Sequence, residues 1–186
     1  LTALLGSLRG SVCMYQGEEL ALGEAEVPFE DLQDPYGITF WPNFKGRDGC
    51  RTPMPWRYEE NAGFSDAKPW LPVYDKHRAQ NVAKQKEDPE STLNAFSEFM
   101  AWRRTQPALV EGDIKFIDTN EPVLAFYRKH GNDSMLCVFN LASEPATLTV
   151  TQQPLHPFNN ELSHHNAQLH GDTLKLPGYG CWFARV

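Results

Sequence analysis

No apolar run in this 186-residue chain approaches the ~18–20 residues that a helix needs to cross a bilayer, which excludes a transmembrane helix. A basic excess is also missing. Lys and Arg total 17 against 24 Asp and Glu, for a net charge of −7, so there is no electrostatic stripe for nucleic acid. Leu1–Arg9 lacks the basic start and small-residue cleavage site of a signal peptide. The initiator Met is absent too, and the chain is expected to begin inside a longer protein. The four cysteines, Cys13, Cys50, Cys137 and Cys181, form no C-x-x-C pair, which speaks against a zinc site. Three of them lie in apolar, strand-like contexts, where a buried reduced thiol and a cytoplasmic protein are expected. His164-His165 has no third ligand at metal spacing and reads as a solvated loop. No metal and no organic cofactor is implied.

What is present divides into two unequal parts. Thr2–Arg9 reads as a helix with Leu4, Leu5 and Leu8 on one side, starting without a cap. Ser11–Tyr15 reads as a short strand buried on both faces, so that helix, turn and strand form the αβ step of an α/β protein. A long Pro-, Gly- and aromatic-rich insertion follows to about Leu71, and connections of that length usually carry function. One or two helical turns over Arg78–Gln85 lead to a helix over Asp88–Thr105. Asp88 is its expected N-cap, and Leu93, Phe96, Phe99, Met100 and Trp102 form its apolar stripe. Pro107 ends that helix.

From Val110 the period becomes alternating. Ile114–Ile117, Val123–Arg128, Met135–Asn140, Ala146–Thr151, Thr173–Leu176 and Cys181–Val186 read as strands separated by turn chemistry, the pattern of an all-β sandwich. The boundary between the parts is expected near Leu109–Gly112, giving domains 1–109 and 110–186.

Two loop clusters carry the functional signal. Tyr15-Gln16-Gly17-Glu18-Glu19 follows the first expected strand, and Gly46-Arg47-Asp48-Gly49-Cys50-Arg51-Thr52-Pro53-Met54-Pro55-Trp56 lies about thirty residues later. Loops that gather Arg, Asp, Glu and Trp usually face a ligand. A sugar site uses such groups, with aromatic faces for rings and guanidinium or carboxylate forks for hydroxyls.

The order of these segments resembles the C-terminal portion of the α-amylase family (glycoside hydrolase family 13). The segments are YQGEE, QDPYGITFWPNFKGRDGCRTPMPW, WRRTQPAL and a closing LPGYGCWFARV. The resemblance is strongest to the bacterial α-glucosidase and oligo-1,6-glucosidase branch, and it runs through the whole chain. It implies an α/β fragment, the last αβα part of a TIM barrel with strand eight at Ser11–Tyr15, followed by a β-sandwich called domain C. Barrel sites open at the carboxyl ends of the strands, which would put both loop clusters at the rim of a sugar pocket. The implied parent hydrolyses terminal α-linked glucose from short oligosaccharides with retention. A retaining enzyme needs two carboxyl groups about 5 Å apart, and by resemblance these belong to strands four and five, with a helper Asp after strand seven. A whole barrel takes roughly 200 residues or more before any domain C, so the carboxylates are expected before Leu1, as is any Ca2+ site. The isolated chain is expected to be inactive and to contain no catalytic residue.

Arg51, Asp48 and Arg47 are the candidate sugar-binding residues: by resemblance Arg51 reaches toward glucose and the carboxylates, and Asp48 is expected to orient Arg51 or Arg47 through a bidentate pair. Pro53 and Pro55 stiffen the backbone after Arg51, while Met54 and Trp56 anchor it by packing. A structural Arg tying the loop down is the alternative for Arg51, and a purely structural ion pair for Asp48. Tyr15, Gln16, Gly17 and Glu18 shape the end of strand eight. Glu18 and Glu19 are adjacent and so point in different directions, unlike a catalytic pair. Tyr36, Phe40, Trp41 and Phe44 either wall the acceptor side of the pocket or pack on one another, and the acidic stretch Glu24–Asp34 reads as a solvated face.

The expected partners are α-glucoside oligosaccharides, with no nucleic acid and no membrane, and self-association of the fragment through exposed barrel edges. Residues 1 to about 70 are expected to be rearranged, disordered or paired with another copy, and the sandwich intact. Other functional readings are a glucosyl-transferring relative of the sucrose isomerase or trehalose-forming type, a non-catalytic family member acting as an interaction subunit, and an independent carbohydrate-binding domain.

Overall fold

The computed structural model describes residues 1–151, 155–158 and 166–186; His164-His165 lies outside them. Six helices occur among the described residues: α1 (Thr2–Ser7), α2 (Pro35–Phe40), α3 (Asp75–Ala79), α4 (Val82–Glu87), α5 (Thr92–Arg104) and α6 (Pro107–Val110). Strands β1 (Asp113–Ile117), β2 (Val123–His130), β3 (Asp133–Asn140) and β4 (Ala146–Thr149) follow. They are joined by β5 (His156–Pro157), β6 (Gln168–His170), β7 (Thr173–Leu176) and β8 (Cys181–Arg185). The chain divides into two compact units, one comprising Leu1–Cys13 with Ser97–Val186, the other Met14–Phe96.

The first unit is built on a five-stranded sheet of order β1-β2-β3-β8-β5 and a three-stranded sheet of order β4-β7-β6, with antiparallel pairing throughout. The central strands of the larger sheet are covered on both sides. Phe126, Met135, Cys137, Phe139 and Phe183 face Phe99 of α5 and Ala108 and Leu109 of α6. Ala125, Leu136, Val138, Trp182 and Ala184 face Leu174 and Leu176 of the smaller sheet. Two-sided burial explains why Met-Leu-Cys-Val-Phe in β3 is continuously apolar rather than alternating. Trp102 packs edge-on to Phe183 and Phe158, completing the helical side.

Arg128 is the exception in this core, 1% exposed on the helix-facing side of β2. It donates to the carbonyls of Ser7 (2.5 Å), Leu8 (2.9 Å), Gly112 (2.8 Å) and Asp113 (3.3 Å). Arg103 adds a bond to Gly6 O at 2.6 Å. The two arginines thus satisfy the orphan carbonyls at the end of α1, where a cation also meets the negative end of the helix dipole.

Two expectations are corrected. Ser11–Tyr15 is not a strand: no described residue pairs with it, and Cys13 and Tyr15 are exposed. A strand exists only through ladder partners, and the described residues supply none. Asp88 does not cap α5. It closes a turn with Ser91 N–H and Glu90 N–H, and the Ser91 hydroxyl caps the helix by accepting from Asn94 N–H at 3.2 Å. The helical turns expected over Arg78–Gln85 are present as the end of α3 and the first part of α4; Gln80 closes α3 and Asn81 caps α4 through Lys84 N–H at 2.9 Å. β5 and β6, of two and three residues, are too short for a sequence period to show.

The second unit is held by small apolar groups, Leu20 with Met54 and Val82, and Val27 with Leu32 and Leu71. Buried polar links carry much of its order. Gln85, at the end of α4, donates from Nε2 to Leu20 O at 3.0 Å and accepts from Leu93 N–H at 3.0 Å.

Candidate functional site

The two loop clusters singled out in the sequence, thirty residues apart, meet at one cavity of about 870 Å3 within the second unit. Tyr15, Gln16, Gly17 and Glu18 form one part of its wall, and Arg47, Cys50, Arg51 and Thr52 another.

The first part is a tight reversal. Gly17 has φ 104°, Glu18 N–H returns to Tyr15 O, and Gly17 O accepts from both Leu20 N–H and Leu22 N–H. The Glu19 carboxylate receives Gly17 N–H at 2.8 Å, so it is consumed in holding the turn. Tyr15, Gln16 and Glu18 remain exposed at the cavity.

The second part rests on two buried carboxylates. Asp48 Oδ2 accepts from Gln33 N–H at 2.6 Å and Asp34 N–H at 2.7 Å. Asp34 in turn caps α2 by accepting from Tyr36 N–H at 3.1 Å, and it receives both Arg47 N–H at 3.0 Å and Arg47 Nε at 2.9 Å. Segment 33–36 and segment 47–48 are therefore locked by reciprocal carboxylate bonds. Asp34 corrects the expected solvated face over Glu24–Asp34: it is 2% exposed, while Glu24, Glu26 and Glu30 face solvent. The Arg47 guanidinium holds the Asp34 carboxyl down at about 2, aided by the backbone N–H groups of Tyr36 and Arg47 and opposed by burial.

Glycine permits the close approach of these segments. A Cβ on Gly49 would stand 2.4 Å from Ala25 O, and Gly49 O accepts Ala25 N–H at 3.0 Å. A short 3-10 turn over Asp48–Cys50 then turns the Asp48 side chain inward and places Cys50 and Arg51 at the cavity. Met54 is buried as expected, but Trp56 is half exposed and does not anchor the segment by packing. Backbone bonds do so instead, from Val82 N–H to Pro55 O and from Ala83 N–H to Trp56 O.

Of the sequence-selected residues, Arg47 and Arg51 line the cavity and Asp48 lies wholly buried behind them. Arg51 sits 4.0 Å from Asp48 Oδ1, its side chain 37% exposed. Tyr36, Phe40, Trp41 and Phe44 do not line the cavity; Tyr36 stacks on Phe40, and Trp41 lies against Phe29. His77 was not foreseen. It is buried at the cavity, with Nε2 2.8 Å from Gly23 O and Nδ1 3.3 Å from the Thr52 hydroxyl. With the proton on Nε2, the ring donates to Gly23 and accepts from Thr52, bridging two wall segments. Nothing marks it in the polar run Asp75-Lys76-His77-Arg78. Among the described residues no group of His, Cys, Asp and Glu is arranged to hold a metal ion.

Such an arrangement presents two guanidinium groups, hydroxyls and an amide to a ligand in an open cavity. It can bind and orient a polyol.

Comparison with known proteins places these features. The family model "Alpha amylase, catalytic domain" matches residues 1–112, and "Alpha-amylase SusG C-terminal domain" matches residues 123–181. A probable alpha-glucosidase of Rhizobium meliloti is 49% identical over 100% of the chain and 33% of its own length. A glucan 1,6-alpha-glucosidase of Streptococcus pneumoniae is 32% identical over 79% of the chain and 31% of its own length. Among solved structures, an alpha-glucosyl transfer enzyme superposes with a TM-score of 0.93 at 52% identity, covering 98% of this chain and 34% of that one. The chain thus spans about a third of the length of the curated relatives it matches. It belongs to the α-amylase family, with catalytic-domain sequence over residues 1–112 followed by a C-terminal β-sheet domain.

Proposed function

We propose that this chain is the C-terminal third of a retaining α-glucosidase that removes terminal α-linked glucose from short oligosaccharides. The meeting of the Tyr15–Glu18 and Arg47–Thr52 segments at one cavity carries this reading, because it joins two guanidinium groups to polar neighbours at a single opening. Arg47 and Arg51 bind glucose hydroxyls, Asp48 supports them, and Tyr15, Gln16, Gly17 and Glu18 shape the adjoining wall. The carboxylates that cut the glycosidic bond belong to strands of a TIM barrel outside these 186 residues, so this chain alone is inactive. Residues 1–109 contribute the last part of that barrel, and residues 110–186 are domain C. Four free cysteines fit a cytoplasmic enzyme. No helix among the described residues is long and apolar enough to cross a membrane.

The test is glucose release from maltose and isomaltose by the full-length protein carrying this sequence. Arg47→Gln and Arg51→Gln are each expected to lower kcat/KM by about 10–100-fold. Unchanged kinetics in both variants would remove the cavity from the site. The 52% identity to an alpha-glucosyl transfer enzyme supports a second reading, transfer of glucose to an acceptor alcohol. Measuring how a maltose donor partitions between water and an added alcohol such as glycerol separates the two.

A further inference from the structure

Asp48 uses its two carboxylate oxygens differently. Oδ2 takes the N–H groups of Gln33 and Asp34 and so fixes the loop. Oδ1 is equally buried but accepts no hydrogen bond from the described residues. A cationic neighbour of Oδ1 is Arg51 Nη1, at 4.0 Å. That distance is too long for a hydrogen bond, but two unit charges still attract across it, more strongly near protein than in water. Arg47 is held in another way, with Nε committed to Asp34 at 2.9 Å. Arg51 makes no side-chain hydrogen bond among the described residues, and it stands at the cavity wall. Asp48 opens the 3-10 turn and Arg51 follows it as the C-cap, its N–H bonded to Asp48 O, so the clamp that fixes Asp48 also sets the origin of the Arg51 side chain.

We propose that Asp48 is a positioning residue for Arg51: its free Oδ1 holds the guanidinium at the cavity wall by charge while leaving the N–H groups available to a glucoside. A full bidentate pair would commit two of those donors. A missing partner would let a long side chain disperse over many rotamers, at a cost in affinity when a ligand orders it. The arrangement sits between these extremes. This inference rests on the cavity being the glucoside site.

Asp48→Asn separates the two oxygens. The amide carbonyl replaces Oδ2 as acceptor for Gln33 and Asp34, and the amide NH2, a donor, faces Arg51. In the full-length protein, the KM for maltose is expected to rise about tenfold with kcat changed less than about twofold. Adding Asp48→Asn to Arg51→Gln should then change KM no further, because the coupling partner is gone. Additive effects would overturn the proposal.

A reading independent of sugar is the rate at which phenylglyoxal modifies each arginine, followed by peptide mass mapping. Asp48→Asn is expected to speed modification of Arg51 several-fold without changing Arg57, whose partner is the exposed Glu59. An unchanged Arg51 rate overturns the assignment even if the enzyme is active. An enzyme that binds no glucoside refutes the functional reading, while the modification rates still decide whether Asp48 holds Arg51. If Asp48→Asn does not fold, Arg51→Met decides, since it leaves the Oδ2 clamp in place. Its melting temperature should fall by several degrees against Arg57→Met, and equal melting of the two would overturn the pairing.

Discussion

Arg47 is bound to Asp34 three times, its backbone N–H and its Nε both reaching the buried Oδ2, at 3.0 and 2.9 Å, and its Nη2 reaching Oδ1 at 3.5 Å. The same carboxylate caps α2, so one side chain joins a helix start to the arginine that lines the cavity. Gly46 makes room for this. With φ 76° it lies 3.0 Å from the Cα of Gly37 and 3.0 Å from the Cβ of Asp34, measured from the position of a Cβ it lacks.

This pair predicts an acid response. The Asp34 carboxyl is lowered in the folded protein from its ordinary 3.8 to about 2, first by the Arg47 side chain. A depressed carboxyl stabilises the fold above its unfolded value and stops doing so as pH falls through the folded one. The contribution is therefore whole above pH about 4 and lost toward pH about 2. Acid unfolding followed by tryptophan fluorescence should show Asp34→Asn less stable than wild type at neutral pH, with the gap closing below pH about 3. A constant gap across the titration would mean the bond to Arg47 contributes nothing that depends on ionisation.

Arg128 predicts a large loss in the first unit. Burial pushes its pKa down, yet carbonyls of Ser7, Leu8, Gly112 and Asp113 receive its donors. Arg128→Met removes the charge but leaves those carbonyls without that donor, three of them within the first turn beyond a helix or a strand start. Urea unfolding should show a loss of about 3 kcal/mol or more. Arg128→Lys, which reaches fewer acceptors from a single point charge, should recover only part of it.

The thiols should divide into two classes. Cys137 and Cys181 are buried, which pushes Cys137 far up and Cys181 up to about 11, while Cys13 and Cys50 are exposed. Ellman titration of native protein near pH 8 should report the two exposed thiols of this chain, and all four only after denaturation. Cys50 lines the cavity and Cys13 does not. Saturating maltose should accordingly slow labelling of Cys50 alone, and equal protection of both would argue against sugar in this cavity.

The legibility of the chain followed the range of the interactions. Strands β1 to β4, β7 and β8 were readable because burial leaves an apolar pattern, and turns such as Pro177-Gly178-Tyr179-Gly180 bound them. The cavity was readable because charged groups in Gly- and Pro-rich loops have no local reason to be there. What failed was whatever a distant partner decides. Ser11–Tyr15 has a strand's composition but no neighbour to pair with among the described residues. Asp34 looks like one more acid in an acidic stretch until Arg47 and Asp48 fold onto it. His77 shows no periodicity at all, since its role comes from Gly23 and Thr52, 54 and 25 residues away.

Gly49 offers the most local test of how the second unit is assembled. A Cβ there would lie 2.4 Å from Ala25 O and 2.7 Å from Glu24 Cγ. The first contact is with backbone and cannot be relieved by a rotamer change. Either the Ala25 segment or the Asp48–Cys50 turn must move, and the 3.0 Å bond from Ala25 N–H to Gly49 O then stretches or breaks. Gly49→Ala should cost about 2 kcal/mol in thermal unfolding, as a clash combined with a lost backbone bond usually does. Gly23→Ala is the matched control, since its Cβ would meet nothing within 4 Å. Because the turn also carries Cys50, the native Cys50 labelling rate should change in Gly49→Ala and stay constant in Gly23→Ala. If both variants melt and label like wild type, the turn is free to shift, and the clamp between segments 24–25 and 48–50 does not set the position of the arginines.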